Sequence, residues 1–188
     1  MLKEENKLLR EELQQTKEKL TLVERDVIQL QQYDRRNNLE IVGIPSDVSQ
    51  ENLEKKVIDL FDVLGETVNS NEIEACHRLK QKPRDKGPPR TIIRFVNRKK
   101  AECLLRKNKE LRNKDLTKIN LDSQNLYINC NLRPYNRMLW GKCKELYKQN
   151  RITKFWVYNG IINVKTSNET RHRINHIDDL DNLLENDN

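Results

Sequence analysis

Residues 2–30 repeat every seven positions, and that period constrains the chain more than any other feature. Leu2, Leu9, Thr16, Val23 and Leu30 fall at d, and Asn6, Leu13, Leu20 and Val27 fall at a. An apolar stripe confined to a and d is too narrow for ordinary globular packing and suits the seam of a coiled coil. No glycine or proline interrupts residues 1–42, and the opposite frame would put Glu5, Glu12, Lys19 and Asp26 in the seam. In a parallel, in-register pair each g residue meets e of the next heptad on the partner, giving Glu5–Arg10, Glu12–Lys17 and Lys19–Glu24. Such exposed pairs contribute only a few tenths of a kcal/mol each, so they specify direction more than strength. Asn6 at an a position fixes register. Leu2, Asn6, Leu9, Leu13, Leu20, Val23, Val27 and Leu30 are therefore the expected oligomerisation residues, with a second or third copy of the chain as partner. These residues do not choose between dimer and trimer. The pattern is already in mid-heptad at residue 1, which points to a longer parent coil.

Charge organises the remainder. The 188 residues include 36 basic and 29 acidic side chains, net +7. Residues 1–77 are net −7, residues 78–118 net +12, residues 133–173 net +8 and residues 178–188 net −5. A solvated surface mixes its signs, whereas two basic blocks point to a face that binds a polyanion. Only five glycines are present, too few for the glycine-dense loops that cradle nucleotide phosphates. No apolar run reaches the ~18–20 residues of a membrane span, and no apolar segment follows the first methionine as in a signal peptide. The four cysteines, at 76, 103, 130 and 143, form no C-x-x-C pair and suit reduced thiols in the cytoplasm and/or nucleus. Secreted scaffold, membrane protein and nucleotide-loop enzyme are thereby disfavoured.

Three domains are expected: a coiled-coil segment (1–34), an α+β domain (35–132) and a small C-terminal α+β domain (133–188). In the second, a strand at Leu39–Pro45 precedes a helix with Ser49 as N-cap, an apolar stripe of Leu53, Val57, Leu60, Phe61 and Leu64, and Gly65 at its end. Strands at Ile73–Leu79 and Thr91–Val96, a helix from Arg98 to Arg112 buried through Ala101, Leu104, Leu105 and Leu111, and a strand at Leu126–Cys130 complete the order. This β-α-β-β-α-β order is that of the ferredoxin-like folds, which include the RNA-recognition motif (RRM). The third strand, Thr91-Ile-Ile-Arg-Phe-Val96, lacks the pattern of an RNA-reading sheet, and the first strand has no aromatic. The expected contacts are instead basic: Arg78, Lys80, Lys82, Arg84, Lys86 and Arg90 around a proline-rich loop, then Arg94, Arg98, Lys99 and Lys100. Contacts of this kind hold phosphates without reading sequence.

In the third domain Pro134 opens a helix carrying Tyr135, Leu139, Cys143, Leu146 and Tyr147, and Arg133 stands just before it. Asn159-Gly160 then joins two strands, and a two-residue turn pairs Tyr158 with Ile161 through to Lys154 with Lys165. Alternation puts Phe155, Val157, Ile162 and Val164 on an apolar face. The other face carries Lys154, Trp156, Tyr158, Ile161, Asn163 and Lys165, which combines stacking with phosphate neutralisation. A terminal helix is expected over Asn175–Leu184, with Ile177, Leu180 and Leu184 inward. His172 and His176 are four apart and could share a helical face, but a zinc site needs more ligands. Cys76 and His77 are neighbours on a strand and point to opposite faces, which disfavours a catalytic pair. No metal, cofactor, small-molecule substrate or catalytic residue is expected.

Arg35-Arg-Asn-Asn-Leu-Glu-Ile-Val-Gly-Ile-Pro45, Glu74-Ala-Cys-His-Arg78 and Arg90-Thr-Ile-Ile-Arg-Phe-Val96 resemble a known family. It is the nucleic-acid-binding protein encoded by the first reading frame of LINE-type retrotransposons, also called transposase-22-like. Leu132-Arg-Pro-Tyr-Asn-Arg137 with Lys154-Phe-Trp-Val-Tyr-Asn-Gly-Ile-Ile-Asn-Val-Lys165 resembles the C-terminal domain of the baculovirus few-polyhedra (FP) protein. The resemblance implies a coiled-coil homo-oligomer, an RRM-like domain and a small C-terminal domain. It also implies binding of single-stranded RNA or DNA, nucleic-acid chaperone activity and assembly into a ribonucleoprotein. It would place basic contacts on Arg35, Arg36, Arg84 to Arg90, Arg94 and Arg137, and an aromatic contact near Trp156 or Tyr158. The alternative expectation is an FP-like structural interaction protein whose basic face docks an acidic protein.

Overall fold

The computed structural model describes residues 2–81 and 86–186. Lys82 and Arg84 lie outside the described residues. The chain is α+β, with a long N-terminal helix and two antiparallel sheets. It forms two compact units, Arg35–Asn131 and, discontinuously, the N-terminal helix with the segment from Leu132 onward. No helix among the described residues is long and apolar enough to cross a membrane.

The Arg35–Asn131 unit packs two helices on one four-stranded sheet. Its elements are β1 (Asn38–Val42), α2 (Gln50–Val63), β2 (Ile73–Arg78), β3 (Thr91–Phe95), α3 (Arg98–Arg106) and β4 (Tyr127–Cys130). The sheet runs β2-β3-β1-β4, every neighbour antiparallel. Alternation sends Leu39, Ile41, Ile93, Phe95 and Ile128 to the core, where they meet Leu53, Val57, Leu60 and Phe61 of α2 and Ala101 and Leu104 of α3. Ser49 caps α2 as its side chain accepts from the Asn52 N–H. β1 stops earlier than expected because Gly43 (φ +101°) passes close to a neighbouring loop: a Cβ there would sit 2.2 Å from the Asn125 carbonyl oxygen. Gly43→Ala is therefore expected to cost more than the about 1–3 kcal/mol of a strained backbone conformation, seen as a lower urea midpoint; an unchanged midpoint would refute the contact. The expected helix to Arg112 ends at Arg106 and continues as two short 3₁₀ turns, Lys107–Lys109 and Leu111–Asn113. Asn108 explains the break, since its Oδ1 accepts from the Ile128 N–H at 2.8 Å and ties the chain to β4.

The other unit contains α1 (Leu2–Tyr33), α4 (Pro134–Lys148), β5 (Lys154–Tyr158), β6 (Ile161–Lys165), β7 (Arg171–Ile174) and α5 (Ile177–Asn186). The sheet order is β5-β6-β7. Ile162 and Val164 are buried with Leu139 and Cys143 of α4 and Leu180 and Leu183 of α5, and Trp140 packs on Phe155 with ring centroids 4.6 Å apart. β7 was not anticipated. It corrects the expectation for the histidines: His172 lies on β7, and His176 follows in the turn, stacked on Tyr135. Helix α5 starts at Ile177 rather than Asn175, because Asp179 Oδ2 accepts from the N–H groups of both Asn175 and His176 and caps the start there. The Leu184 side chain lies outside the described residues.

Helix α1 is two-sided. Its a/d residues are exposed, Leu13 by 55%, Leu20 by 56% and Leu30 by 67%. The residues that lose solvent are Thr21, Arg25, Ile28 and Gln32, at b and f positions on the opposite face. Arg25 Nη2 approaches Asp178 (3.7 Å) and Asp179 (3.4 Å) of α5. Gln32, 5% exposed, accepts at Oε1 from the Arg133 N–H (3.1 Å) and Asn136 Nδ2 (3.2 Å) at the head of α4.

Candidate nucleic-acid interface

The outer face of the β5-β6-β7 sheet is built by a hairpin whose register follows from its turn. Asn159 (φ 54°) and Gly160 (φ 75°) both take the left-handed conformation, as a type I′ turn requires. The pairing runs Tyr158–Ile161, Val157–Ile162, Trp156–Asn163, Phe155–Val164 and Lys154–Lys165, which is the expected register. β7 extends the same face by pairing Arg171 with Lys165 and Arg173 with Asn163. Lys154, Lys165, Arg171 and Arg173 thus share one surface with Trp156, Tyr158 and Asn163.

Their partners separate these cations. Lys165 is paired with Glu169. Lys154 Nζ lies 5.7 Å and Arg171 Cζ 5.3 Å from the centroid of the half-buried Trp156 ring. Among the described residues Lys154, Arg171 and Arg173 pair with no carboxylate. Tyr158 is 58% exposed. This arrangement offers fixed positive charge beside aromatic surface.

The first basic block is largely occupied within its own unit. Arg78 donates from Nη1 to the carbonyls of Ile44 (3.2 Å) and Pro89 (3.1 Å), and from Nη2 to those of Pro45 and Val48. Burial lowers its pKa from the ordinary arginine value, against the opposing field of Asp47. Arg90 Nη1 meets Glu40 at 3.0 Å, Arg94 Nε meets Glu74 at 2.8 Å and Arg98 Nε meets Glu102 at 2.8 Å. Lys100 reaches the Thr67 carbonyl and lies 3.8 Å from Glu72. Arg35 donates to Asn131 Oδ1 at 2.9 Å, and Arg36 is half-buried. Lys80, Lys86 and Lys99 are exposed, the first two beside Pro88 and Pro89 in a shallow groove with Arg90. In the other unit Arg133 is half-buried, and Arg137 donates to the Leu132 carbonyl at 3.3 Å. The Arg94 and Arg98 pairs are at the surface and worth about 0–1 kcal/mol, so a phosphate can displace their carboxylates. Arg78 instead holds loops together.

Burial pushes the Cys76 thiol up to about 12 and those of Cys130 and Cys143 to about 11, so all three are protonated at neutral pH. Among the described residues no three histidine, cysteine, aspartate or glutamate side chains gather as they would around a metal.

No protein-family model matches the chain, and no curated protein matches it.

The sequence-based register placed Lys154, Trp156, Tyr158 and Lys165 on this face, where the structure has them, but did not include Arg171 and Arg173 of β7. The signal was available in the alternation Arg171-His-Arg-Ile174, with the last residue and His172 facing inward. Two arginines in four residues mask the β-branched enrichment that marks most strands.

Proposed function

We propose that the chain is an oligomeric single-stranded nucleic-acid-binding protein with chaperone character, resembling the LINE-type first-reading-frame proteins, and holding its ligand mainly through phosphates. The observation that carries this reading is the outer β5-β6-β7 face, where three cations that meet no carboxylate among the described residues stand with the half-buried Trp156 and the exposed Tyr158. An acidic protein partner would use the charge but has no need of the rings; a single strand uses both. The strand order β2-β3-β1-β4 supports an RRM-like reading of the Arg35–Asn131 unit, as a scaffold that adds phosphate contacts through Lys80, Lys86, Arg94 and Lys99. The exposed heptad stripe of α1 supports a parallel coiled coil that groups several copies of the site.

Nuclease-treated protein is expected to bind a labelled single-stranded oligonucleotide with log affinity falling linearly as log salt rises. Replacing Lys154, Arg171 and Arg173 together by alanine should weaken binding at least about tenfold and flatten that slope by about two, at ~0.7 per phosphate. Anisotropy titrations at several salt concentrations measure both. Affinity indifferent to salt would overturn the phosphate reading, and tighter binding to polyglutamate than to the strand would favour the acidic-protein alternative.

A further inference from the structure

Building on the strand-binding reading, we propose that Trp156 and Arg171 form a receptor for one unpaired nucleotide, base on indole and phosphate on guanidinium, with Asn163 as the residue that positions it. Asn163 is only 1% exposed although it lies on the outer face, between Trp156 and Arg173 in register. Its Oδ1 accepts from Arg171 Nε at 3.1 Å and Nη2 at 2.9 Å, and its Nδ2 donates to the Ile161 carbonyl at 3.0 Å. Arginine has only donors and the carbonyl only accepts, so the amide has one orientation that satisfies both ends. Turning it would strand buried polar groups. Arg171 is therefore held in a single pose over the ring, and the exposed Lys154 side chain, also over the ring, is what an incoming base displaces.

A carboxylate can also hold an arginine, as the buried Glu40 does for Arg90. The difference is electrical. The neutral amide fixes the guanidinium and leaves its full charge in place, while Arg171 Nη1 makes no bond among the described residues. A preorganised, unneutralised guanidinium is suited to bind phosphate oxygens. An indole 5.3 Å away then selects for a flat partner carried by the same phosphate. A duplex hides the faces of its bases, so the matching ligand is a nucleotide of a single strand.

The test compares an oligothymidylate with an abasic deoxyribose-phosphate strand of equal length, using the full chain and tryptophan emission. The oligothymidylate should quench emission and bind about ten- to a hundredfold more tightly than the abasic strand. Trp156→Ala should abolish the quench and bring the two affinities together. Arg171→Gln, an exposed change that leaves the fold intact, should reduce the salt slope for both ligands by about 0.7. Asn163→Asp neutralises Arg171 and should reduce the slope to the same degree, with the urea midpoint measured alongside because the change also gives up the bond to the Ile161 carbonyl; an amide that merely supported the fold would lower the midpoint and leave the slope unchanged. Equal affinities without quench, while binding stays salt-dependent, would overturn the nucleotide receptor and leave the strand-binding reading standing. Wild-type protein that binds neither ligand would overturn both.

Discussion

Replacing Leu13 and Leu20 together by aspartate is expected to convert the proposed coiled-coil oligomer to a monomer without unfolding either unit. Both side chains are more than half exposed in the single chain, so burial against another copy is what they have to lose. At the seam of a coil, two carboxylates per copy would be desolvated among like charges, which costs far more than the lost apolar contact alone. The intramolecular contacts of α1 run through Arg25, Ile28 and Gln32 and are untouched. Light scattering should show the mass of one chain, with an unchanged far-ultraviolet spectrum beyond a modest loss of helix from α1. Binding to a long strand should fall steeply, because linked sites act at high effective concentration, while binding to an oligonucleotide that fills one site stays the same. A mass equal to that of the wild type would remove the seam from the proposal.

The second large effect concerns Arg78, a residue whose sequence position suggested a phosphate contact. Its guanidinium holds four backbone carbonyls from two loops, three in the one between β1 and α2 and one before β3. Arg78→Met leaves those part-buried acceptors without a donor and should destabilise the Arg35–Asn131 unit by about 2–4 kcal/mol. Arg78→Lys should recover little, since an ammonium cannot span the fork that a planar guanidinium fills. Chemical denaturation measures the change. A variant that keeps wild-type stability but loses strand affinity would return Arg78 to the binding surface.

Arg78 also illustrates what the sequence could and could not reveal. The helices and strands of the Arg35–Asn131 unit follow from hydrophobic period, the Ser49 cap and turn residues, and most are legible from local pattern. The hairpin is legible to the residue, since an Asn-Gly turn leaves one register open. The partner of a cation is a different matter. Arg78, Arg90 and Arg171 look alike in sequence, yet one meets carbonyls, one a carboxylate and one an amide, from residues 8 to 50 positions away. Those pairings depend on tertiary placement. Net charge by segment therefore does not separate cations paired within their unit, such as Arg90 and Arg94, from those that meet no carboxylate, such as Arg171.

The unit that carries the candidate interface is interrupted in the chain: α1 comes first, and Arg133 and Asn136, which meet Gln32, follow about a hundred residues later. Closing so long a loop from an unfolded chain costs about 4 kcal/mol by (3/2)RT ln n. The inserted unit removes most of that cost. β1 and β4 are neighbours, Arg35 is bonded to Asn131, and the Asn131 N–H meets the Asn38 carbonyl, so its entry and exit lie side by side once it folds. During synthesis α1 emerges without its docking surface and waits through the making of an entire domain. The inserted domain then acts as a clasp, delivering the two halves of its neighbour to each other in an order that the gene itself imposes.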